Sequence, residues 1–337
     1  MIPRAKILAM IVLLVAVYCS QGWSQAPPPV ILEIDTDNQV QYNGDVSDLS
    51  RMAANPDITP ASAPRNFGVV INLGDIVTVN GQPAKGIMVE RLLRLGLSPT
   101  ATPGNAIADV TRTQIGDRIF EILKSDGTAI GSIMVSQFTG GAPAPGAPLV
   151  ASGGNLAIVG GTGAFLGARG QAFTGTRPDQ IGSRQASMAE DPANRRRHGG
   201  GRFRYVLHVL PMARPEIVVT AAGPAVTHSI DFAPVTATRP AAVGEILSAF
   251  ATGLGPTLPG VDPGKPFPVS PLAAVNSPVE VLVNGRAAEV TAAVGYPNTV
   301  DGYQVNFRIP SDTARGTATV QLRVAWIAGA ELRITVQ

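Results

Sequence analysis

In Tyr303-Gln304-Val305-Asn306-Phe307-Arg308-Ile309, apolar and polar residues alternate without a break. Successive side chains of an extended chain point to opposite faces, so this run predicts a strand with one dry face and one wet face. The same pattern returns twice downstream. Ala318, Val320, Leu322 and Val324 interleave with Thr319, Gln321 and Arg323, and Leu332, Ile334 and Val336 interleave with Arg333 and Thr335. Such strands predict two antiparallel sheets packed face to face. Val283-Asn284-Gly285-Arg286 marks a hairpin, because Asn-Gly supplies the positive φ angles of a tight turn.

Working back from this segment, a loop with six prolines between Pro259 and Pro278 precedes it, and Pro211–Pro224 reads as a connector. Short apolar runs lie further upstream: Phe67–Leu73, Gly86–Leu93, Arg118–Lys124, Ile130–Phe138, Leu156–Val159, Ala168–Thr176 and Phe203–Leu210. Asn80-Gly81 and Asp126-Gly127 are turns between them, and no amphipathic helix of convincing length intervenes. Several short strands at hairpin spacing predict a sandwich or a barrel. Residues 27–66 start with three prolines and the run Val30–Ile34, then turn acidic and Pro/Ala-rich. They are expected to form an N-terminal arm, read as a first strand or arm followed by a loosely structured segment.

Composition agrees with an all-β chain. Of 337 residues, 37 are Gly and 29 are Pro, while charged residues make up only 15%, too few for a coiled coil. A single Cys excludes an intrachain disulfide scaffold, and 45% hydrophobic residues argue against a disordered polyampholyte. Arg4 and Lys6, the uncharged run Ile7–Val17 and the polar segment to Ala26 have the layout of a secretory signal peptide. The expectation is therefore an exported protein, secreted or at the cell surface, cleaved near Ala26 and without a transmembrane span. Cleavage removes the Cys, two of the 26 basic residues and none of the 24 acidic ones. The net charge then falls from +2 to zero, which gives no case for a nucleic-acid partner.

The stretch Ala157-Ile-Val-Gly160-Gly161-Thr162-Gly163-Ala164-Phe165-Leu-Gly-Ala168-Arg169-Gly170 resembles the signature of dirigent and allene-oxide-cyclase-like proteins. Clustered glycines allow a tight crossover, Phe165 plugs a barrel end and Arg169 opens the next strand. Phe67–Thr78 and Phe120–Ser132 resemble neighbouring parts of the same pattern, so the likeness covers about 67–212. It implies an eight-stranded antiparallel barrel with an apolar pocket, in a family that steers radical coupling or cyclisation with pocket carboxylates. On that resemblance Asp75 and Arg169 are the catalytic candidates. Glu90, Glu121 and Phe165 are candidates for lining the pocket, with outward, solvated charge as the alternative for the two acids.

Residues 217–337 resemble a C-terminal module of acidobacterial exported proteins, through Val226–Phe232, Gly244–Gly255, Val281–Gly285, Tyr303–Pro310 and Gly316-Thr-Ala. The module implies an immunoglobulin-like sandwich and export, but no activity. His198, His208 and His228 lack metal spacing, and the acids after Asp35 lack the Gly and Glu of a calcium loop, with Val40 and Val46 in those places. No metal and no cofactor are expected. The Arg/Gly tract within Arg177–Arg202 reads as a solvated loop. The functional expectation is a non-catalytic binding or surface protein. It would hold a small apolar ligand in the barrel, with the sandwich docking to the cell envelope or a protein. The alternatives are a dirigent- or cyclase-like enzyme and a self-assembling structural protein.

Overall fold

The computed structural model describes residues 29–45, 67–95, 114–139, 155–212, 214–221, 223–262 and 264–337. The expected signal peptide, 1–26, lies outside the described residues, as does 46–66.

Ten strands make up the first half: β1 (Val30–Asp45), β2 (Phe67–Val79), β3 (Gln82–Pro83), β4 (Lys85–Leu95), β5 (Gln114–Leu123), β6 (Ala129–Thr139), β7 (Asn155–Gly161), β8 (Arg169–Gly175), β9 (Arg184–Ser187) and β10 (Gly201–Leu210). Eight of them close into an antiparallel barrel in the order β1-β2-β4-β5-β6-β7-β8-β10 and back to β1. The eight-stranded antiparallel barrel that the resemblance implies is therefore present.

The arm expected over 27–66 is instead, as far as Asp45, a barrel strand. Leu32, Ile34 and Thr36 are fully buried, and β1 is the strand that joins β2 to β10. Without it both neighbours would present open edges. A bulge at Thr36–Gln39, with Asn38 at φ 53°, reverses the phase of β1. Leu32, Ile34 and Thr36 share the barrel interior with Gln39, whereas Val40 and Tyr42 are buried under residues 184–198 outside it.

Alternation fixes the interior. Met88, Glu90 and Leu92 point inward from β4, as do Arg118, Phe120 and Ile122 from β5 and Ile133, Val135 and Gln137 from β6. The hairpins β2–β4 and β5–β6 and the crossover after β7 lie at one end, where buried Phe165 packs against Gly131 and Gly161. The connections 46–66, 96–113, 140–154 and 176–200 all leave from the other end.

The second half holds β11 (Glu216–Ile217), β12 (Val219–Thr220), β13 (Gly223–Pro224), β14 (Val226–His228), β15 (Ile246–Thr252), β16 (Thr257–Leu258), β17 (Ala274–Val275), β18 (Val279–Val283), β19 (Arg286–Gly295), β20 (Tyr303–Arg308), β21 (Gly316–Val324) and β22 (Ile327–Val336). Strand β19 is shared. Its first residues pair with β18, which continues to β21 and β22, and its later residues pair with β20, which continues to β15. The dry faces read from the alternation are buried: Tyr303, Val305 and Phe307 on β20, and Ala318, Val320, Leu322 and Val324 on β21. Among the described residues, no helix is long and apolar enough to cross a membrane.

Candidate functional site

The barrel interior changes chemistry along its axis. Toward the Phe165 end it is wholly apolar, with Leu32, Ile34, Ile76, Met88, Phe120, Ile122, Ile133 and Leu207 all at most 2% exposed. Nearer the end with the long connections lies a belt of buried polar side chains: Thr36 and Gln39 on β1, Asn72 on β2, Glu90 on β4, Arg118 on β5, Gln137 on β6 and Tyr205 on β10. Beyond the belt toward that end, Val70, Leu92 and Leu156 are buried on the inner face. The belt is thus a polar floor enclosed between two layers of buried apolar side chains.

Cross-strand register builds the floor. Asn72 pairs with Glu90, and Glu90 with Arg118. Arg118 donates to Glu90 Oε1 from Nη2 at 2.5 Å and from Nε at 3.1 Å, and Gln137 Nε2 donates to the same oxygen at 2.6 Å. Asn72 Nδ2 donates to Glu90 Oε2. The Arg118 guanidinium lies over the Tyr205 ring, 4.7 Å from its centroid, and the Tyr205 hydroxyl donates to Gln39 Oε1 at 2.8 Å.

The electrostatics follow from these contacts. Burial disfavours the Glu90 carboxylate, but the charge of Arg118 and the hydrogen bonds of Gln137, Asn72 and Arg118 outweigh it and hold its pKa below the ordinary value. Burial pushes the Tyr205 hydroxyl up to about 12, against the pull of Arg118. Both oxygens of Glu90 accept hydrogen bonds, three at Oε1 and one at Oε2, which keeps it ionised. Two floor atoms are left over. Arg118 Nη1 and Asn72 Oδ1 are buried without a hydrogen-bond partner among the described residues. A buried donor and a buried acceptor left unpaired each cost about 1–3 kcal/mol, so a group able to accept from one and donate to the other would be favoured there.

The other candidates lie elsewhere. Asp75 follows Gly74 on β2 and points to the outer face, into a strap formed by 177–200. This strap lays β9 parallel to β1 and carries a short helix, α1 (Arg195–His198). Asp75 Oδ1 accepts from Arg195 at 2.6 Å and from Arg196 at 2.9 Å, and Asn38 donates to Oδ2 at 3.0 Å. Burial works against the charge, yet the bonds from Arg196, Arg195 and Asn38 hold Asp75 at about 2. The solvated loop expected for the Arg/Gly tract is thus corrected. Arg177 binds Asp37, Arg184 binds Glu190, and Arg195 is only 6% exposed. Arg177, Arg195 and Arg196 meet Asp37 and Asp75, an acidic seam that β1 and β2 present under the strap, while Arg184 meets Glu190 of the strap itself.

Arg169 donates to the main-chain carbonyls of Val159 at 2.5 Å and Ala168 at 2.9 Å, which braces the crossover. Glu121 is exposed on the outer face of β5, because Phe120 and Ile122 take the inner positions, so it lines no pocket in the barrel. Phe165 closes the opposite end of the barrel from the floor. Of the sequence candidates, only Glu90 belongs to the floor. Its partners Arg118, Asn72, Gln137 and Tyr205 were legible only as polar residues in the apolar phase of a strand, as in Arg118-x-Phe120-x-Ile122.

Compared with family models, curated proteins and solved structures, the chain matches none.

Proposed function

We propose that the protein is an exported, non-catalytic binding protein. Its barrel seats a small molecule with an apolar body and one hydroxyl or amide head, and its second half docks to the cell envelope or a partner protein. The observation that carries this reading is the polar floor with its unpaired Arg118 Nη1 and Asn72 Oδ1 beneath an apolar wall. A hydroxyl accepts one hydrogen bond and donates another, which matches that pair of atoms. The enzyme alternative needs a proton donor or acceptor poised near neutral pH. Glu90 is held ionised below the ordinary carboxylate range and Asp75 is pinned at about 2 outside the barrel, so neither candidate acid favours it. Kinship of the barrel with dirigent and allene-oxide-cyclase-like proteins belongs to the same proposal. So do an immunoglobulin-like form for the second half, kinship with acidobacterial exported proteins and a cleaved leader. The closed barrel and the glycine crossover support the first, and the alternating strands support the second.

Fluorescent 2-naphthol, two apolar rings with one hydroxyl, tests the site. The expected result is saturable binding by the wild type. Replacing both Glu90→Met and Arg118→Met removes the head-group contacts without leaving a buried charge, and should weaken binding roughly tenfold or more. Equal binding by both proteins would overturn the proposal.

A further inference from the structure

Two-residue hairpin turns with both residues at positive φ occur at Asn80-Gly81 (50° and 74°) and Asn284-Gly285 (50° and 76°), with the residues such turns favour. The β21–β22 turn has the same geometry, 48° and 65°, but is made of Ala325 and Trp326. A side chain beyond Cβ is disfavoured there, and an aromatic one strongly so. The turn aims Trp326 at the barrel, where its Nε1 donates to Gln82 Oε1 at 3.0 Å. Backbone strain that persists in this way marks a place where the side chain is needed.

Beside Trp326 is a cleft of about 440 Å³ between the barrel and the second half, lined by Asn80, Gln82, Arg214, Glu280, Arg323 and Trp326 among others. Its size falls in the range of small-molecule sites, roughly 300–1,000 Å³, which favour domain junctions. Most of its polar groups are already spoken for. Asn80 bonds to the main chain of Glu33 and Ile31, and Arg323 pairs with Glu280 at 3.2 Å. Arg214 is the exception, since its Nε is buried with no hydrogen-bond partner among the described residues.

We propose that this cleft is a second ligand site, for a small carboxylate that carries a ring. Arg214 takes the carboxylate through its guanidinium, whose Nε has no hydrogen-bond partner among the described residues, and Trp326 covers the ring. A guanidinium fork matches a carboxylate in shape and charge, and an indole offers a flat apolar surface. The site is independent of the barrel floor.

Trp326 reports on it directly, because the chain has only two tryptophans and Trp23→Phe leaves one. The probes are glucuronate, a sugar acid, and benzoate, an aromatic acid, with glucose and benzyl alcohol as neutral counterparts. At least one acid should change Trp326 emission saturably, its neutral counterpart should not, and which acid acts identifies the source. Arg214→Gln should weaken that response roughly tenfold or more, with the melting temperature unchanged, and Arg214→Lys should retain part of it. The proposal is overturned if neither acid alters the emission, if neutral probes act equally, or if Arg214→Gln responds as the wild type does.

Discussion

Glu90 and Arg118 are the residues on which the interior depends. Each is nearly fully buried, and each compensates the other's charge. Removing one leaves the other as an uncompensated buried charge, which costs about 3–5 kcal/mol, whereas replacing both with apolar residues of similar size is often close to neutral. Glu90→Gln should therefore destabilise the protein by about 3 kcal/mol in chemical denaturation. The Glu90→Met, Arg118→Met double variant removes both charges but leaves Asn72 and Gln137 without their acceptor, so it should lose less than the sum of the two single variants. Additive losses would show that the pair does not act as a unit. Glu90 was readable as a candidate because it interrupts the apolar phase of β4. Its partners were not, because which strands stand side by side and in what register follows from barrel closure, and local alternation does not encode that.

Elements show the same division. The strands of the second half were plain from their alternation, since a sheet with one dry face writes its burial directly into the sequence. Strand β1 was legible only as far as Ile34. Its bulge at Thr36–Gln39 changes which face is buried, so the continuation no longer looks like the same strand. The strap was misread for a related reason: Arg177, Arg195 and Arg196 bind Asp37 and Asp75, which are distant in sequence. Asp75 gives the strap a pH dependence with a definite sign. Its folded-state pKa, about 2, lies below its ordinary value of 3.8. The stabilisation is therefore complete above the ordinary value and is lost as pH falls from about 4 toward 2. With allowance for solvent screening it amounts to about 1–2 kcal/mol. Hydrogen exchange should show the amides of 177–200 losing protection in that window before those of β4 and β5. Simultaneous loss of both would mean that the strap is not held separately by Asp75.

At the scale of the molecule, an antiparallel barrel and a second β-rich half meet at the barrel's short-connection end. Trp326 bonds to Gln82 there, and Asn276 bonds to the Ala129 carbonyl. This leaves the end with the long connections, and the polar floor below it, facing away from the junction. Fold class was legible because Gly/Pro turns and period-two strands are local signals. Function was not, because the floor is assembled from six strands whose polar residues are unremarkable one at a time. A small molecule seated on the floor would be carried through purification, so native mass spectrometry of the protein purified from its source detects it. A discrete mass excess of one small molecule is expected on the wild type and none on the Glu90→Met, Arg118→Met variant. A wild-type spectrum showing the bare chain alone, or the same excess on both proteins, would contradict binding at the floor.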